Sequence, residues 1–360
     1  MFKDLDISKV SVLIAGAGSI GSVVGLLLKE KGYNVALYRR NPPFGVQPVS
    51  ILGVVTKSIE IEILNKDTLA ESSFKSAEII ILTSQKQQIR SILGDLGIGF
   101  DFSADQLLIS LQNGLDPASE ICEILKRELN KPVPRIISGV VWWSATALST
   151  SEVYYHQSGI THLGIPEVSD CPKPPISALK EAVDLLKLIN EIQTTENIET
   201  IIRQKLLLNT ISPILALVKQ PYPEALNNLA TREVAHLAFD NALTIGKKLG
   251  WDLNNEILHR YHILLNSDTM LPTTAKHKDQ PIHRASTQIS AEKHGGKSSN
   301  AHELLKLFIS KNSQLAEIIL ELIEELPPNY QATDPYELLQ KIKGDPNFKM
   351  PICTLTSGQM

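Results

Sequence analysis

The sequence predicts an α/β protein in which a doubly wound, largely parallel sheet is followed by an all-helical region. Short apolar runs alternate with helical segments up to about residue 193, which is typical of a doubly wound sheet. From residue 194 onward the apolar residues recur at helical spacing, and no strand pattern is evident. We therefore predict a sheet domain over 1–193, a helical domain over 194–328 and a C-terminal tail over 329–360.

Length and composition agree with two domains. A chain of 360 residues exceeds the usual size of one hydrophobic core, and 43% hydrophobic with 21% charged residues is ordinary for a soluble protein. A formal net charge of −4 gives no reason to expect nucleic acid or an anionic membrane as a partner. No apolar run is long enough to span a bilayer, and the first ten residues lack the apolar segment of a signal peptide. The expected location is the cytoplasm.

The cysteines and histidines are not spaced as in a known disulfide or metal-binding pattern. The three cysteines are Cys122, Cys171 and Cys353. They are few, odd in number and widely spaced, so we expect neither a disulfide framework nor a zinc site, as is typical of a reducing compartment. Six of the nine histidines come late in the chain, but only His259 and His262 have the spacing of two ligands on one helix. No carboxylate completes a known pattern, and we expect no metal.

The first strand and the first helix enclose three glycines in GxGxxG spacing. The strand is predicted over 12–15 and the helix over 20–31. Gly16 permits a tight turn, Gly18 lets a pyrophosphate approach the backbone, and Gly21 lets the helix pack on the sheet. The N–H groups at the helix start favour phosphate. This context predicts a Rossmann-type dinucleotide site, with an ordinary glycine-rich turn as the alternative. The residues assigned to it are Gly16, Gly18, Ser19, Ile20 and Gly21.

The end of the second strand, predicted over 35–38, indicates which dinucleotide binds. An NAD site usually carries an acidic residue there for the ribose 2′-hydroxyl. This strand ends instead in Arg39 and Arg40. Because a guanidinium pairs well with a phosphate dianion, we predict NADP(H), with Arg39 or Arg40 on the 2′-phosphate. The alternative is a pair of solvated surface arginines.

The remaining strands and helices are predicted from the spacing of apolar residues and the length of each apolar segment. Apolar or alternating runs predict a hairpin over 50–64 and strands over 77–83, 106–111, 135–143, 153–156 and 161–164. Helices are predicted over 116–125, 174–192, 196–217, 232–249, 256–265 and 301–326. Pro213 predicts a kink in the helix that opens the second domain. The polar stretch 267–299 is long for a loop, which indicates either a functional or a disordered segment.

Several of these segments together resemble the ketopantoate reductase family. They are GAGSIG at 16–21, QNG at 112–114, VYYHQSGITHLG at 153–164 and KLLLNTISPILAL at 205–217. The resemblance covers roughly residues 10–325. It implies a Rossmann domain followed by a helical domain like the C-terminal domain of 6-phosphogluconate dehydrogenases. It also implies NADPH-dependent reduction of 2-dehydropantoate to (R)-pantoate, a step toward coenzyme A.

The same resemblance implies roles for individual residues. Lys205 would be the proton donor, with Asn209 as its partner in binding the substrate. Asn113 would lie near the nicotinamide ribose and the substrate. Gln85 stands where the family often has a lysine, and Ser212 stands at the asparagine of the family's Asn-Pro.

The family's serine and glutamate fall in a region where the alignment slips. Ser286 is assigned to the serine, as a substrate-binding residue. Direct spacing places Asn300 at the glutamate, whereas a three-residue insertion places Glu303 there, at the start of a helix. We favour Glu303. These departures bear on the identity of the substrate more than on the reaction type.

Reduction of a ketone needs the residue types found at 205 and 209. Hydride delivery leaves charge on the carbonyl oxygen, and a nearby cation or donor stabilises it. A lysine can also give the proton if burial lowers its pKa toward the working pH. Lys205 and Asn209 are one helical turn apart, on one face. The alternative is a solvated helix face, but the apolar flanks at 201–202 and 206–208 favour a functional lysine.

Two other functions remain open. A reductase of a different small 2-oxo acid would keep the fold and the chemistry. A sensor would bind NADPH tightly without oxidising it, although the presence of both Lys205 and Asn209 counts against that function. The expected partners are a small 2-oxo acid and a second copy of the chain in a homodimer.

Overall fold

The computed structural model of the chain describes residues 7–169, 171–218, 220, 222–253, 258–259, 265, 306, 310, 316–317, 319–320 and 334–344. The chain divides into two compact units, Met1–Ile202 and Arg203–Met360.

The first unit contains a mixed sheet of eleven strands. They are β1 Ser11–Ala15, β2 Asn34–Tyr38, β3 Gly45–Gly53, β4 Lys57–Leu64, β5 Ile79–Leu82, β6 Leu107–Ser110, β7 Arg135–Val141, β8 Ser144–Ala147, β9 Glu152–Gln157, β10 Ile160–Gly164 and β11 Glu191–Thr194. Their order is β11-β10-β7-β6-β5-β1-β2-β4-β3-β9-β8. The six strands from β7 to β4 are parallel, and antiparallel pairs join β3 to β4, β8 to β9 and β10 to β7. The predicted α/β class is confirmed, with a mixed sheet in which the pairs β10–β11 and β3–β9, outside the central six strands, are also parallel.

The central strands are buried on both faces, which explains their continuous apolar sequences. In β1, Val12 and Ile14 belong to one hydrophobic cluster, whereas Leu13 and Ala15 belong to the cluster on the opposite face. Val12 lies opposite residues of both β2 and β5, so β1 is at the middle of the parallel region.

Helices cover both faces of the sheet, as a doubly wound arrangement requires. They are α1 Ser19–Glu30, α2 Lys66–Leu69, α3 Ile89–Gly99, α4 Pro117–Glu123, α5 Ile176–Leu186 and α6 Ile198–Leu208. Buried residues of α1 and α5 belong to the first cluster, and those of α2, α3 and α4 to the second. α4 continues as a π-helix over Ile124–Glu128. The start of α6 packs Ile198 and Ile202 against Val140 of β7.

At the edges of the sheet, one sequence prediction is wrong and one strand was not predicted. The helix predicted over 174–192 ends at Leu186, and residues from Glu191 form strand β11 beside β10. Strand β8 was not predicted at all. Both strands are four residues long and lie at the ends of the sheet. Such short edge strands depend on pairing with a neighbour more than on their own sequence pattern.

The expectation that the cysteines are unpaired is also wrong for two of them. Cys122 of α4 and Cys171 form a disulfide, with Cα atoms 6.0 Å apart. The two residues are 49 positions apart in sequence, and only the fold brings them together.

All described elements of the second unit are helical. After α6 a 3-10 turn, Asn209–Ile211, leads into α7 Ser212–Val218, α8 Tyr222–Asn227, α9 Leu229–Lys248 and α10 Pro335–Gly344. The 3-10 turn interrupts the helix predicted over 196–217, and Pro213 follows it in the first turn of α7, where proline is tolerated.

Part of the predicted tail is also helical. In α10, Leu338 and Ile342 are buried, and α10 packs against α9. The segments 256–265, 267–299 and 301–326 lie wholly or mostly outside the described residues. No helix in the described parts of the chain is both long and apolar enough to cross a bilayer.

Candidate dinucleotide site and catalytic helix

The predicted cofactor residues of the first unit gather at the carboxyl ends of its central parallel strands. The connections after β1 and β2, at 16–21 and 39–40, and those after β5 and β6, at 83–88 and 112–114, meet at this edge. β1 pairs with β2 on one side and β5 on the other, so the strand order reverses there. Crevices at such switch points are the usual ligand sites of open α/β sheets.

The glycine loop has the geometry of a phosphate cradle. Gly16 adopts a φ of +86°, and a Cβ atom there would overlap Ser84. A Cβ on Gly18 would meet only the Gly16 carbonyl oxygen, at 3.9 Å, so the space in front of Gly18 is open. Gly18 precedes the first turn of α1 without a side-chain cap. Open backbone and uncapped N–H groups together fit a dinucleotide pyrophosphate.

A polar network that the sequence analysis missed fixes this loop to the neighbouring strands. The Thr83 hydroxyl donates to the Gly16 carbonyl at 2.9 Å. Gln112, a buried residue two positions after β6, donates its amide N–H groups to the carbonyl and the hydroxyl oxygen of Ser84, at 3.0 and 2.7 Å. Gln112 was part of the QNG motif, but neither it nor Thr83 had been assigned a role.

The side chains proposed to meet the cofactor and the substrate near β6 are accessible. Asn113 and Gln85 are exposed. Gly114 adopts a φ of +127° and packs against the aliphatic part of Lys86, whose ammonium lies 3.8 Å from the Glu120 carboxylate. Asn113 therefore follows a buried glutamine and precedes a tightly packed glycine, which fixes the backbone on both sides of it.

The two arginines after β2 have different surroundings. Arg40 is exposed, and its guanidinium donates to the Ser91 hydroxyl of α3 at 3.1 Å. Arg39 is partly buried and turns toward the glycine loop. It donates to the Ala17 carbonyl at 3.0 Å, to the Ser22 hydroxyl at 2.9 Å and to the Thr150 carbonyl. Burial lowers the pKa of Arg39.

The β8–β9 hairpin lies beside the start of α1. The Ala147 N–H donates to the Ser19 hydroxyl at 2.9 Å. One predicted cofactor residue, Ser19, therefore uses its side chain to hold the hairpin, and its backbone N–H belongs to the first turn of α1.

In the second unit, the candidate catalytic residues follow one another along one helical path. Lys205 is in the last turn of α6, Asn209 begins the 3-10 turn, and Ser212 begins α7. Lys205 is partly buried, and desolvation by burial lowers its pKa to about 8. Desolvation favours the neutral amine, so this lysine can lose a proton near neutral pH.

Other predicted site residues lie outside the described part of the chain. Ser286, Glu303 and the alternative Asn300 are among them. In the described part, no group of three histidine, cysteine or acidic side chains is arranged to hold a metal ion.

The sequence of the first unit matches a family model. Residues 12–167 match the model of Ketopantoate reductase PanE/ApbA. The 2-dehydropantoate 2-reductase of Archaeoglobus fulgidus is 24% identical over 249 residues, which cover 68% of this chain and 76% of that protein. A glycerol-3-phosphate dehydrogenase (NAD(P)+) of Clostridium botulinum is 32% identical over 139 residues. That match covers 37% of this chain and spans only 40% of the relative's length.

Solved structures share the fold at low sequence identity. D-mandelate dehydrogenase, solved with NADH and anilino(oxo)acetate, has a TM-score of 0.66 at 17% identity, covering 87% of this chain and 97% of that chain. The dimeric ketopantoate reductase from Staphylococcus aureus has a TM-score of 0.60 at 16% identity, with the same coverage. Identity this low shows the fold alone. Together with the family match, these findings confirm the resemblance to the ketopantoate reductase family, which the model match places over residues 12–167.

Proposed function

We propose that the chain is an NADPH-dependent reductase of a small 2-oxo acid, and that its substrate is 2-dehydropantoate, reduced to (R)-pantoate. The family of residues 12–167 and the relative from Archaeoglobus fulgidus support the reaction class. The observation that carries the proposal is the lysine at 205, because burial brings its pKa to about 8, the range in which an ammonium group can donate a proton during catalysis.

The glycine loop and the first turn of α1 would bind the pyrophosphate through backbone N–H groups. Exposed Arg40 would bind the 2′-phosphate, and Ser91, already its hydrogen-bond partner, would hold its guanidinium in place. Gln85 and Asn113 would contact the nicotinamide half. When bound, NADPH supplies the hydride.

The side chains of the second unit would complete the ketone chemistry. Lys205 would stabilise the negative charge that develops on the carbonyl oxygen and then give that oxygen its proton. Asn209 and Ser212, on the next turns of the same helical path, would bind the substrate's oxygen atoms. Ser286 and Glu303 would contribute further polar contacts. We further propose that the region after residue 203 has the fold of the 6-phosphogluconate dehydrogenase C-terminal domain, because its described elements are all helices.

The test is to follow NADPH absorbance with purified protein and a panel of 2-oxo acids that includes 2-dehydropantoate. We expect oxidation of NADPH with 2-dehydropantoate, and a loss of about a hundredfold or more in kcat for Lys205→Ala, since the variant loses both the donor and the charge. A variant with a near-normal rate would refute the role of Lys205. Tight NADPH binding without oxidation by any member of the panel would refute the reductase and favour a sensor.

A second candidate is a reductase for a different 2-oxo acid. Its support is the shared fold of D-mandelate dehydrogenase, which was solved with NADH and anilino(oxo)acetate, an aryl amide with a carbonyl next to its carboxylate as in a 2-oxo acid. The same panel separates the candidates, because a larger kcat/KM for an aryl 2-oxo acid than for 2-dehydropantoate would favour the second. Substitution of NADH for NADPH in each assay tests the cofactor.

We also propose a homodimer working in the cytoplasm. The dimeric state of the Staphylococcus aureus enzyme supports the homodimer, whereas the Cys122–Cys171 disulfide, a bond that is rare in reducing compartments, counts against the cytoplasm. Light scattering of the purified chain would measure the mass directly, and a monomeric mass would refute the dimer.

A further inference from the structure

Arg39 directs all three nitrogen groups of its guanidinium at oxygen atoms of the protein. Nε donates to the Ala17 carbonyl at 3.0 Å, Nη2 to the Ser22 hydroxyl at 2.9 Å, and Nη1 to the Thr150 carbonyl. These acceptors belong to three separate elements: the glycine loop, helix α1 and the turn between β8 and β9. One side chain therefore joins three elements at the phosphate end of the predicted cofactor site.

The contacts around Ala17 reinforce one another. The Ser22 hydroxyl, which accepts from Arg39, itself donates to the Ala17 carbonyl at 3.3 Å. The Ala17 N–H donates to the Tyr38 carbonyl at 3.3 Å, which fixes the other side of the same residue to β2. Ser22 is 3% exposed, so this arrangement is largely shielded from water. The peptide between Gly16 and Gly18 is thus held from both sides.

The charge of Arg39 has no carboxylate beside it in the described part of the chain. Its acceptors are two carbonyls and a hydroxyl, whereas Arg135, for comparison, lies 3.2 Å from the Glu181 carboxylate. Burying a cation against neutral acceptors is expensive, and the lowered pKa of Arg39 reflects that cost. An uncompensated positive charge beside a phosphate cradle also raises the local potential for an anion.

The side chains of Arg39 and Arg40 lie on opposite faces of the sheet, so the two cannot bind the same phosphate equivalently. Leu37 and Tyr38 already belong to opposite faces of the sheet, and the alternation continues, because Arg39 reaches Ser22 of α1 while Arg40 reaches Ser91 of α3. Three of the five N–H donors of Arg39 are engaged within the protein, whereas Arg40 is exposed and donates to the Ser91 hydroxyl.

We propose that Arg39 is a positioning residue of the dinucleotide site, which holds the glycine loop, the start of α1 and the β8–β9 turn in their phosphate-binding arrangement without binding the 2′-phosphate. This role rests on the proposed cofactor. Arg39 holds the loop that binds the pyrophosphate, a group that NADH and NADPH share. Loss of Arg39 should therefore weaken both dinucleotides by the same factor.

The experiment is a fluorescence titration of the full chain with NADPH and with NADH, for wild type, Arg39→Gln, Arg39→Lys and Arg40→Gln. We expect Arg39→Gln to raise the dissociation constant about tenfold for both dinucleotides, the size of a lost set of charge-assisted hydrogen bonds. Arg39→Lys should recover part of the loss, because an ammonium can still reach one acceptor. Arg40→Gln should weaken NADPH at least about tenfold more than it weakens NADH.

A second variant, Ser22→Ala, keeps the arginine and removes one of its acceptors, in case Arg39→Gln does not fold. It should weaken both dinucleotides equally, by about threefold. If Arg39→Gln or Ser22→Ala weakens NADPH alone, Arg39 is a 2′-phosphate ligand and the proposal is overturned. Unchanged affinities in a binding-competent protein overturn it as well, whereas a wild-type chain that binds neither dinucleotide overturns the proposed function itself.

Discussion

Replacing Lys205 by methionine should abolish reduction and at the same time stabilise the protein. Methionine keeps a long, unbranched side chain and removes the ammonium group. The neighbouring Leu206 and Leu207 are buried, so an apolar side chain suits this turn of α6. Because the folded state disfavours the charge of Lys205, removing that charge removes an unfavourable free energy that the unfolded chain does not have.

The size and the sign of the effect follow from the pKa. The ordinary lysine value is 10.5 and burial lowers it to about 8. At about 1.36 kcal/mol per pKa unit this difference sets an upper limit of about 3 kcal/mol. Lys205 keeps some exposed surface, so we expect about 1–2 kcal/mol at neutral pH after solvent screening. Between the two pKa values the unfolded chain binds more protons, so wild-type stability should rise with pH through that window.

The assay is urea unfolding of wild type and Lys205→Met at neutral pH and near pH 10. The variant should be the more stable at neutral pH, and the gap should narrow at the alkaline pH. Lys248→Met, at the exposed end of α9, is the matched control and should change stability by less than about 0.5 kcal/mol. A destabilised Lys205→Met, or a gap that does not depend on pH, would contradict the reasoning.

The same pKa predicts the pH dependence of turnover. Protonated Lys205 is the proposed proton donor, so the rate should fall as the pH rises through about 8. Lys205→Arg keeps the positive charge but cannot give up its proton. It should bind substrate yet turn over slowly, and its remaining rate should lack the decline near pH 8. A wild-type rate that stays flat well above this pH would show that another group gives the proton.

Three further predictions concern the first unit. Gly21→Ala should weaken dinucleotide binding about tenfold in a fluorescence titration, because its Cβ would overlap the Thr83 hydroxyl, whereas Gly94→Ala, with open space around it, should not. Gln112→Leu should lower the free energy of unfolding by about 1–3 kcal/mol in urea, since it leaves buried partners unpaired. Thiol titration of the purified, denatured chain should give one free thiol before reduction and three after, and Cys122→Ser should lower stability by about 2–4 kcal/mol. Three thiols without reductant would contradict the disulfide.

The parts of the fold that the sequence predicted well are those with local causes. The glycine loop could be predicted because a strand, a turn and a helix start each require particular residue types close together in sequence. The central strands could be predicted because burial on both faces requires a continuous run of apolar residues. Strands β8 and β11 and the Cys122–Cys171 bond could not, because each depends on a partner far away in sequence.

The same distinction applies within the candidate site. The resemblance to the ketopantoate reductase family could propose Lys205 and Asn209, and the apolar flanks could suggest that the lysine is buried. It could not reveal the anchors of the glycine loop. Thr83 lies 67 positions from its acceptor Gly16, and Arg39 lies 111 positions from Thr150. Those contacts exist only once β5 and the β8–β9 hairpin have joined the sheet.

The two arginines that follow the second strand are adjacent in sequence, so their side chains face opposite sides of the sheet. Side chains alternate between the faces of a strand, so one of the pair must face α1 and the glycine loop while the other faces α3. Arg39 lies on the first side, where each of its three guanidinium nitrogens donates to a protein oxygen, and Arg40 lies on the second, where it is exposed. On the proposed roles of the two residues, a charge at position 39 would assist the binding of either dinucleotide, whereas a charge at position 40 would favour NADPH over NADH. The choice between NADPH and NADH should therefore follow the residue at 40 even when the residue at 39 is unchanged.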